Sequence, residues 1–198
     1  MTTAAPGDAL RALAERVAGE GEPLAGHVTE PSASPVLGEM VAAGPRTATA
    51  PAAYALVVEA VREGYLCHYG ESRILTGADP DLSLLAGDLF YAIGINGLAA
   101  LDDPESVGIL SDLIRVAAEL RAVEETELAE SLWLAQLLAL ACGTGPDLPP
   151  LIDAVSRRES GSLQGLKEWS VNTAESHGLR RAFEAAHNAI DFRPSELL

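Results

Sequence analysis

The residues able to do chemistry in this chain are few and scattered. Four histidines, His27, His68, His177 and His187, have no spacing that would gather them around one metal ion, and Cys67 and Cys142 lie too far apart in the chain for a metal-ligand pair. Cys67 and His68 are neighbours, but adjacent residues on a helix point about 100° apart, so the pair does not make an activated thiol. His177 and His187 fall near one helical face and read as two partly exposed helix residues. The acidic run Asp102-Asp103-Pro104-Glu105 has the composition of a metal site. Its order, however, is that of a helix start, with Asp103 as N-cap, Pro104 at the first position and Glu105 in the first turn. No phosphate-binding glycine loop, HExxH or GxSxG is present. These residues predict no catalytic site and no metal or cofactor site in the chain.

One carboxylate stands out by its surroundings. Asp88 sits in Pro80 to Leu101, PDLSLLAGDLFYAIGINGLAAL, where only Ser83, Asp88, Tyr91 and Asn96 carry polar side-chain atoms after Leu82. Asp79 can cap the first amides, Pro80 presets φ and Asp81 complements the dipole, so a long helix is expected to start here. Without a polar stripe, that helix is expected to be buried on most sides. A membrane span is disfavoured by the central Asp88 and by the absence of flanking Lys/Arg. The core of a bundle and a subunit interface remain. Ser83, Gly87 and Gly94 share one side, and each helical glycine costs roughly 0.5 to 1 kcal/mol relative to alanine, so a second helix is expected to pack very close. Asp88 is expected to be a buried acceptor for hydroxyls or amides of a facing helix, the alternative being a partner Arg, a bound water network or a direct ligand contact.

The elements that hold these residues are helical. The chain has 198 residues, 48% hydrophobic but only 5% aromatic, so Ala, Leu and Val do the packing. A net charge of −16 argues against nucleic acid and anionic membranes as partners, since both need clustered Lys/Arg. Far-apart cysteines and an N-terminus without a basic start or apolar run suit the reducing cytosol, with no signal peptide expected. A first amphipathic helix is expected over Asp8 to Ala18, then a Gly/Pro/Ser-rich loop over Gly19 to Thr49. Further helices follow: Thr49 (as cap) to Tyr69, the apolar helix to Leu101, a helix to Glu125, Thr126 to Cys142, Pro149 to Arg157, and Ser162 to Ile190 with breaks at Gly165 and Gly178. No segment alternates at period two. The expected architecture is an all-α helical bundle over residues 49–198, preceded by residues 1–48 as a short helix and a flexible loop.

Leu84-Leu85-Ala86-Gly87-Asp88-Leu89-Phe90-Tyr91-Ala92 resembles the LAGDYLLA-type helix of the trans-isoprenyl diphosphate synthases, all-helical enzymes that elongate allylic diphosphates with isopentenyl diphosphate. The stretch Ser111 to Thr126 resembles the next helix in the small, non-catalytic components of two-component hexaprenyl and heptaprenyl diphosphate synthases. The resemblance spans about Leu56 to Leu140. Catalytic members carry DDxxD upstream, a basic RRG-type loop and a second aspartate-rich motif, which together hold Mg²⁺ and diphosphate. Here Ala60 to Arg73 contains no aspartate, and Asp147 and Asp153 are not clustered. Without clustered hard oxygen ligands the diphosphate clamp cannot form. The resemblance therefore implies a truncated isoprenyl synthase fold without activity of its own, pairing with a large catalytic component that carries the Mg²⁺ and serving a quinone side chain. Ser83, Gly87, Asp88, Tyr91, Gly94 and Leu98 are the expected partner interface, with self-association when the partner is absent. A helical homo-oligomeric scaffold or an apolar-ligand-binding protein is the alternative.

Overall fold

The computed structural model describes residues 5–190. Among these, nine α-helices carry the fold: α1 (Ala9–Ala18), α2 (Val36–Ala42), α3 (Pro51–Tyr69), α4 (Pro80–Ala100), α5 (Pro104–Arg121), α6 (Thr126–Cys142), α7 (Leu148–Ser156), α8 (Ser162–Ser176) and α9 (Arg180–Ala189). No strand forms among the described residues. A single antiparallel bridge, Val28 to Leu75, ties the α1–α2 connection to the α3–α4 connection. The protein is an all-α bundle.

Local chemistry sets the helix starts. Asp79 accepts from the Leu82 amide at 2.8 Å with Pro80 at the first position. Asp103 accepts from the Ser106 amide at 3.1 Å with Pro104 behind it. Each carboxylate satisfies one of the orphan amides of its first turn, so the helices begin where these residues stand. Thr49 is not a cap: α3 starts one residue later, from Ala50, with no side-chain cap bond. Gly178 breaks the C-terminal helical stretch with φ +70°, whereas Gly165 stays inside α8.

The helix enclosed on all sides is α6. Leu132, Trp133, Ala135, Leu137, Leu138, Ala139 and Leu140 are inaccessible to solvent, covered by α2, α5, α8 and α9. A second, smaller core joins Leu10, Leu13 and Val17 of α1 to Ala60 of α3, Ile74, and Ala86, Phe90 and Ile93 of α4. Residues of the first 48 thus complete the bundle.

The expected Gly19 to Thr49 loop contains a 3-10 turn at Leu24–His27 and the whole of α2, with Leu37, Met40 and Val41 fully buried. This helix escapes a propensity reading because it is short, follows Pro35 and holds a glycine. Tertiary contact supplies what local preference lacks. A Cβ on Gly38 would lie 2.8 Å from the Ala55 carbonyl oxygen, so glycine alone lets α2 cross α3 this closely. The Gly38 amide, free in the first turn, donates to Glu59 Oε1 at 2.7 Å.

Candidate functional site

α4 divides lengthwise into two faces. On the inner face Gly87, Gly94 and Leu98 are buried against α3 of the same chain. A Cβ on Gly94 would meet Val61 Cγ2 at 2.6 Å, one on Gly97 would meet Val57 Cγ2 at 2.6 Å, and one on Gly64 of α3 would meet the Tyr91 ring at 2.6 Å and the Gly87 carbonyl at 3.0 Å. The close helix that the glycines demanded is therefore α3, which contributes Gly64 to the same seam. This corrects the interface expectation for Gly87, Gly94 and Leu98: their side of the helix is already filled from within the chain.

Ser83 and Tyr91 are half-buried at the seam's edge. Ser83 lines a polar cavity of about 450 Å³ with Cys67, Ser72 and Thr76 at the end of α3. The Tyr91 ring stacks on His68 with centroids 5.4 Å apart and planes at 11°. Burial pushes the Tyr91 hydroxyl far above its ordinary range. Asp88 is not a buried acceptor: its side chain is 73% exposed, with Oδ1 3.3 Å from His68 Nε2. Asp88 lies nearly opposite the buried Phe90 around α4, at the rim of the seam where His68 of α3 reaches it.

The outer face is open. Leu84 and Leu85 are 47% and 65% exposed, Ala92, Asn96, Ala99 and Ala100 are also exposed, and Leu89 and Ile95 are half-buried beside them. Apolar composition on both faces, read as burial on most sides, thus reflects burial on one side and exposure on the other. Among the described residues α4 is the one helix long and apolar enough to cross a membrane, and only 33% of its most apolar window is buried in the bundle. A monomer leaving two adjacent leucines and an alanine-rich strip in water has a surface suited to association.

The chemistry-bearing residues stay apart. His177 and His187 are exposed on α8–α9, and no group of three or more His, Cys, Asp or Glu able to hold a metal ion forms among the described residues. Burial raises the Cys67 thiol to about 12, so it is protonated at neutral pH.

Two polar networks lay outside the sequence reading. In the first, Arg73 joins two carboxylates of α3, with Nε 2.6 Å from Glu63 Oε1 and Nη2 2.6 Å from Glu59 Oε2. Both glutamates are inaccessible, and Arg62 beside them is 5% exposed and donates to the Ala189 carbonyl at 2.8 Å. Two cations and two anions balance inside the bundle. Burial, followed by the charge of Arg73, lowers Arg62 to about 10. The available signal was Glu59 and Glu63 at i,i+4 on a helix that is otherwise apolar along the same side.

In the second network Arg46 meets Asp103 at 2.6 Å, Ser106 Oγ at 2.7 Å and the Leu140 carbonyl at 3.2 Å, while Tyr54 donates to Asp103 at 2.7 Å. It joins the α2–α3 connection to the start of α5 and the end of α6. Burial pushes the Asp103 carboxyl up, but donors from Ser106, Tyr54 and Arg46 outweigh it and bring the group down to about 2. Asp103 is a structural cap. No family model, curated protein or solved structure matches the chain.

Proposed function

We propose that the chain is an accessory, non-catalytic subunit of a heteromeric long-chain prenyl diphosphate synthase, and that the outer face of α4 docks the catalytic component. One observation carries the reading: the LAGD-bearing helix offers its exposed apolar side to a partner, while the residues that would have to cage a metal–diphosphate complex are missing from the preceding helix. In this reading Mg²⁺ and both diphosphates belong to the DDxxD-bearing component. The accessory chain supports that component's fold and the length of its product, on a route to a quinone side chain in the cytoplasm. Of Ser83, Gly87, Asp88, Tyr91, Gly94 and Leu98, Asp88 is the exposed one and belongs to the docking surface, joined by Leu84, Leu85 and Ala92.

The test is reconstitution. The chain alone should consume no isopentenyl diphosphate, and adding it to the catalytic component should restore long-chain synthesis. Leu84→Glu with Leu85→Glu should abolish the restoration without altering the chain's helical circular dichroism.

A second reading, binding of an apolar ligand, is favoured by a cavity of about 380 Å³ between α6, α8 and α9, lined by Leu134, Val171 and Phe183 with Ser131, Lys167 and His187 at its polar edge. Protection of the melting temperature by a prenyl alcohol, lost in Leu134→Trp, would support that reading.

A further inference from the structure

The cavity between α6, α8 and α9 has a polar end and an apolar end. Each helix supplies one residue to each end, a turn apart: Ser131 and Leu134 on α6, Lys167 and Val171 on α8, His187 and Phe183 on α9. α6 and α8 are in step, because Lys167 Nζ meets Glu127 Oε1 at 2.5 Å, one turn before Ser131. α9 folds back after the break at Gly178, so His187 near its far end returns to the level of Lys167.

Two observations at this cavity are not accounted for by the packing of the bundle. Ser170, on the wall and 2% exposed, carries a hydroxyl with no hydrogen-bond partner among the described residues. A helical serine ordinarily directs that proton to the carbonyl four residues back, and a buried hydroxyl without a partner carries an uncompensated desolvation cost. Val171 is 44% exposed at the opening, although a valine side chain gains by burial. We infer that the cavity binds a single-chain aliphatic monocarboxylate, with its head between Ser131, Lys167 and Ser170 and its chain along Leu134, Val171 and Phe183.

The head group follows from the donors. Both serine hydroxyls can donate, and Glu127 takes one of the three ammonium protons of Lys167, so an acceptor-only group finds several partners at one end. Glu184, the carboxylate on this wall, is held by Arg180 at 2.9 Å. A diphosphate needs more positive charge than one ammonium flanked by Glu127 and Glu184 provides. At about 30 Å³ per water-sized group, the cavity of about 380 Å³ takes about twelve heavy atoms, the size of decanoate. Of α9 only Ala186 is buried, so a chain bridging α8 and α9 adds apolar contact that this helix lacks, and binding raises stability. The inference rests on the apolar-ligand reading of this cavity, whose head group it names, and is independent of the accessory-subunit reading.

The experiment is calorimetric titration of the full chain with sodium decanoate, decanol and farnesyl diphosphate, beside thermal melts. Expected is one decanoate per chain, with affinity rising about fourfold per methylene from hexanoate to decanoate and levelling off beyond it. Lys167→Met should weaken decanoate at least about fivefold and decanol less than about twofold. Ser170→Ala should weaken decanoate by a similar factor yet leave the melting temperature of the unliganded chain unchanged or higher, because an unpartnered hydroxyl does not stabilise the free fold. Val171→Trp, at an exposed position, should block binding with unchanged circular dichroism. Decanol binding as tightly as decanoate overturns the carboxylate and leaves the apolar cavity standing, whereas binding of neither overturns both. Farnesyl diphosphate binding more tightly than decanoate, or a lower melting temperature for unliganded Ser170→Ala, also overturns the inference. So does binding that survives Val171→Trp and is lost when Leu84 and Leu85 are both replaced by Glu, which would place the chain on the outer face of α4.

Discussion

Replacing Arg73 by Met should be among the most damaging single changes to the fold. Arg73 is 9% exposed and the carboxylates of Glu59 and Glu63 are inaccessible, so its removal strands two like charges one helical turn apart in the interior. Glu59 would keep only the Gly38 amide, and Glu63 only the Ser72 hydroxyl and the Arg73 amide. Breaking a buried pair in this way costs about 3 to 5 kcal/mol, because two carboxylates are left with Arg62 alone to compensate them. For a domain of this size each kcal/mol moves the melting temperature by about 2 to 4 °C, so a fall of about 6 to 20 °C is expected. The matching surface control is Arg115→Met, whose pair with Glu119 is half-exposed on both sides and should cost about 0.5 kcal/mol or less. Adding Glu63→Gln to Arg73→Met removes one stranded charge and should recover part of the loss. Chemical denaturation and thermal melts of the four chains decide the matter. A cost below about 1 kcal/mol for Arg73→Met, or further loss on adding Glu63→Gln, would refute the argument that these charges are buried and mutually compensating.

Two further outcomes follow from the helix seam and the cap network. Gly94→Leu should lower the melting temperature with a cost of about 1 to 3 kcal/mol and leave docking at the outer face intact, since even a Cβ meets the buried, β-branched Val61 at 2.6 Å; differential scanning calorimetry beside co-elution checks both halves. Asp103, lowered from 3.8 to about 2, contributes stability that is complete above pH 4 and is lost as pH falls through its folded value; the shift amounts to about 2 kcal/mol. Asp103→Asn should therefore be destabilised relative to wild type at pH 7, with the gap narrowing below pH 4 in urea titrations.

What could be read in the chain followed its local chemistry. The α4 and α5 starts were legible because Asp-Pro pairs stand at Asp79-Pro80 and Asp103-Pro104, and α6 was legible because Gly143 ends an unbroken helical run at Cys142. α2 was not, since its stability comes from Leu37, Met40 and Val41 reaching the core formed by α3 and α6. The glycines of α4 announced a close neighbour correctly but could not say that α3 provides it. Asp88 was misplaced for a related reason: in a helix apolar all round, composition cannot distinguish the face that packs inside from the face that remains open. The Arg73 network depended on a loop residue folding back across α3, and the Arg46 network on contacts nearly one hundred residues apart along the chain. Neither leaves a periodic trace.

The measurement that bears most directly on the accessory-subunit reading is turnover of isopentenyl and allylic diphosphates by the chain alone, by the DDxxD-bearing catalytic component alone, and by the two together with Mg²⁺. The account predicts no turnover by the chain, long-chain product only in the mixture, and loss of that product when Leu84 and Leu85 are both replaced by Glu. Turnover by the isolated chain, or a catalytic component whose rate and product length are the same with and without it, would contradict the account.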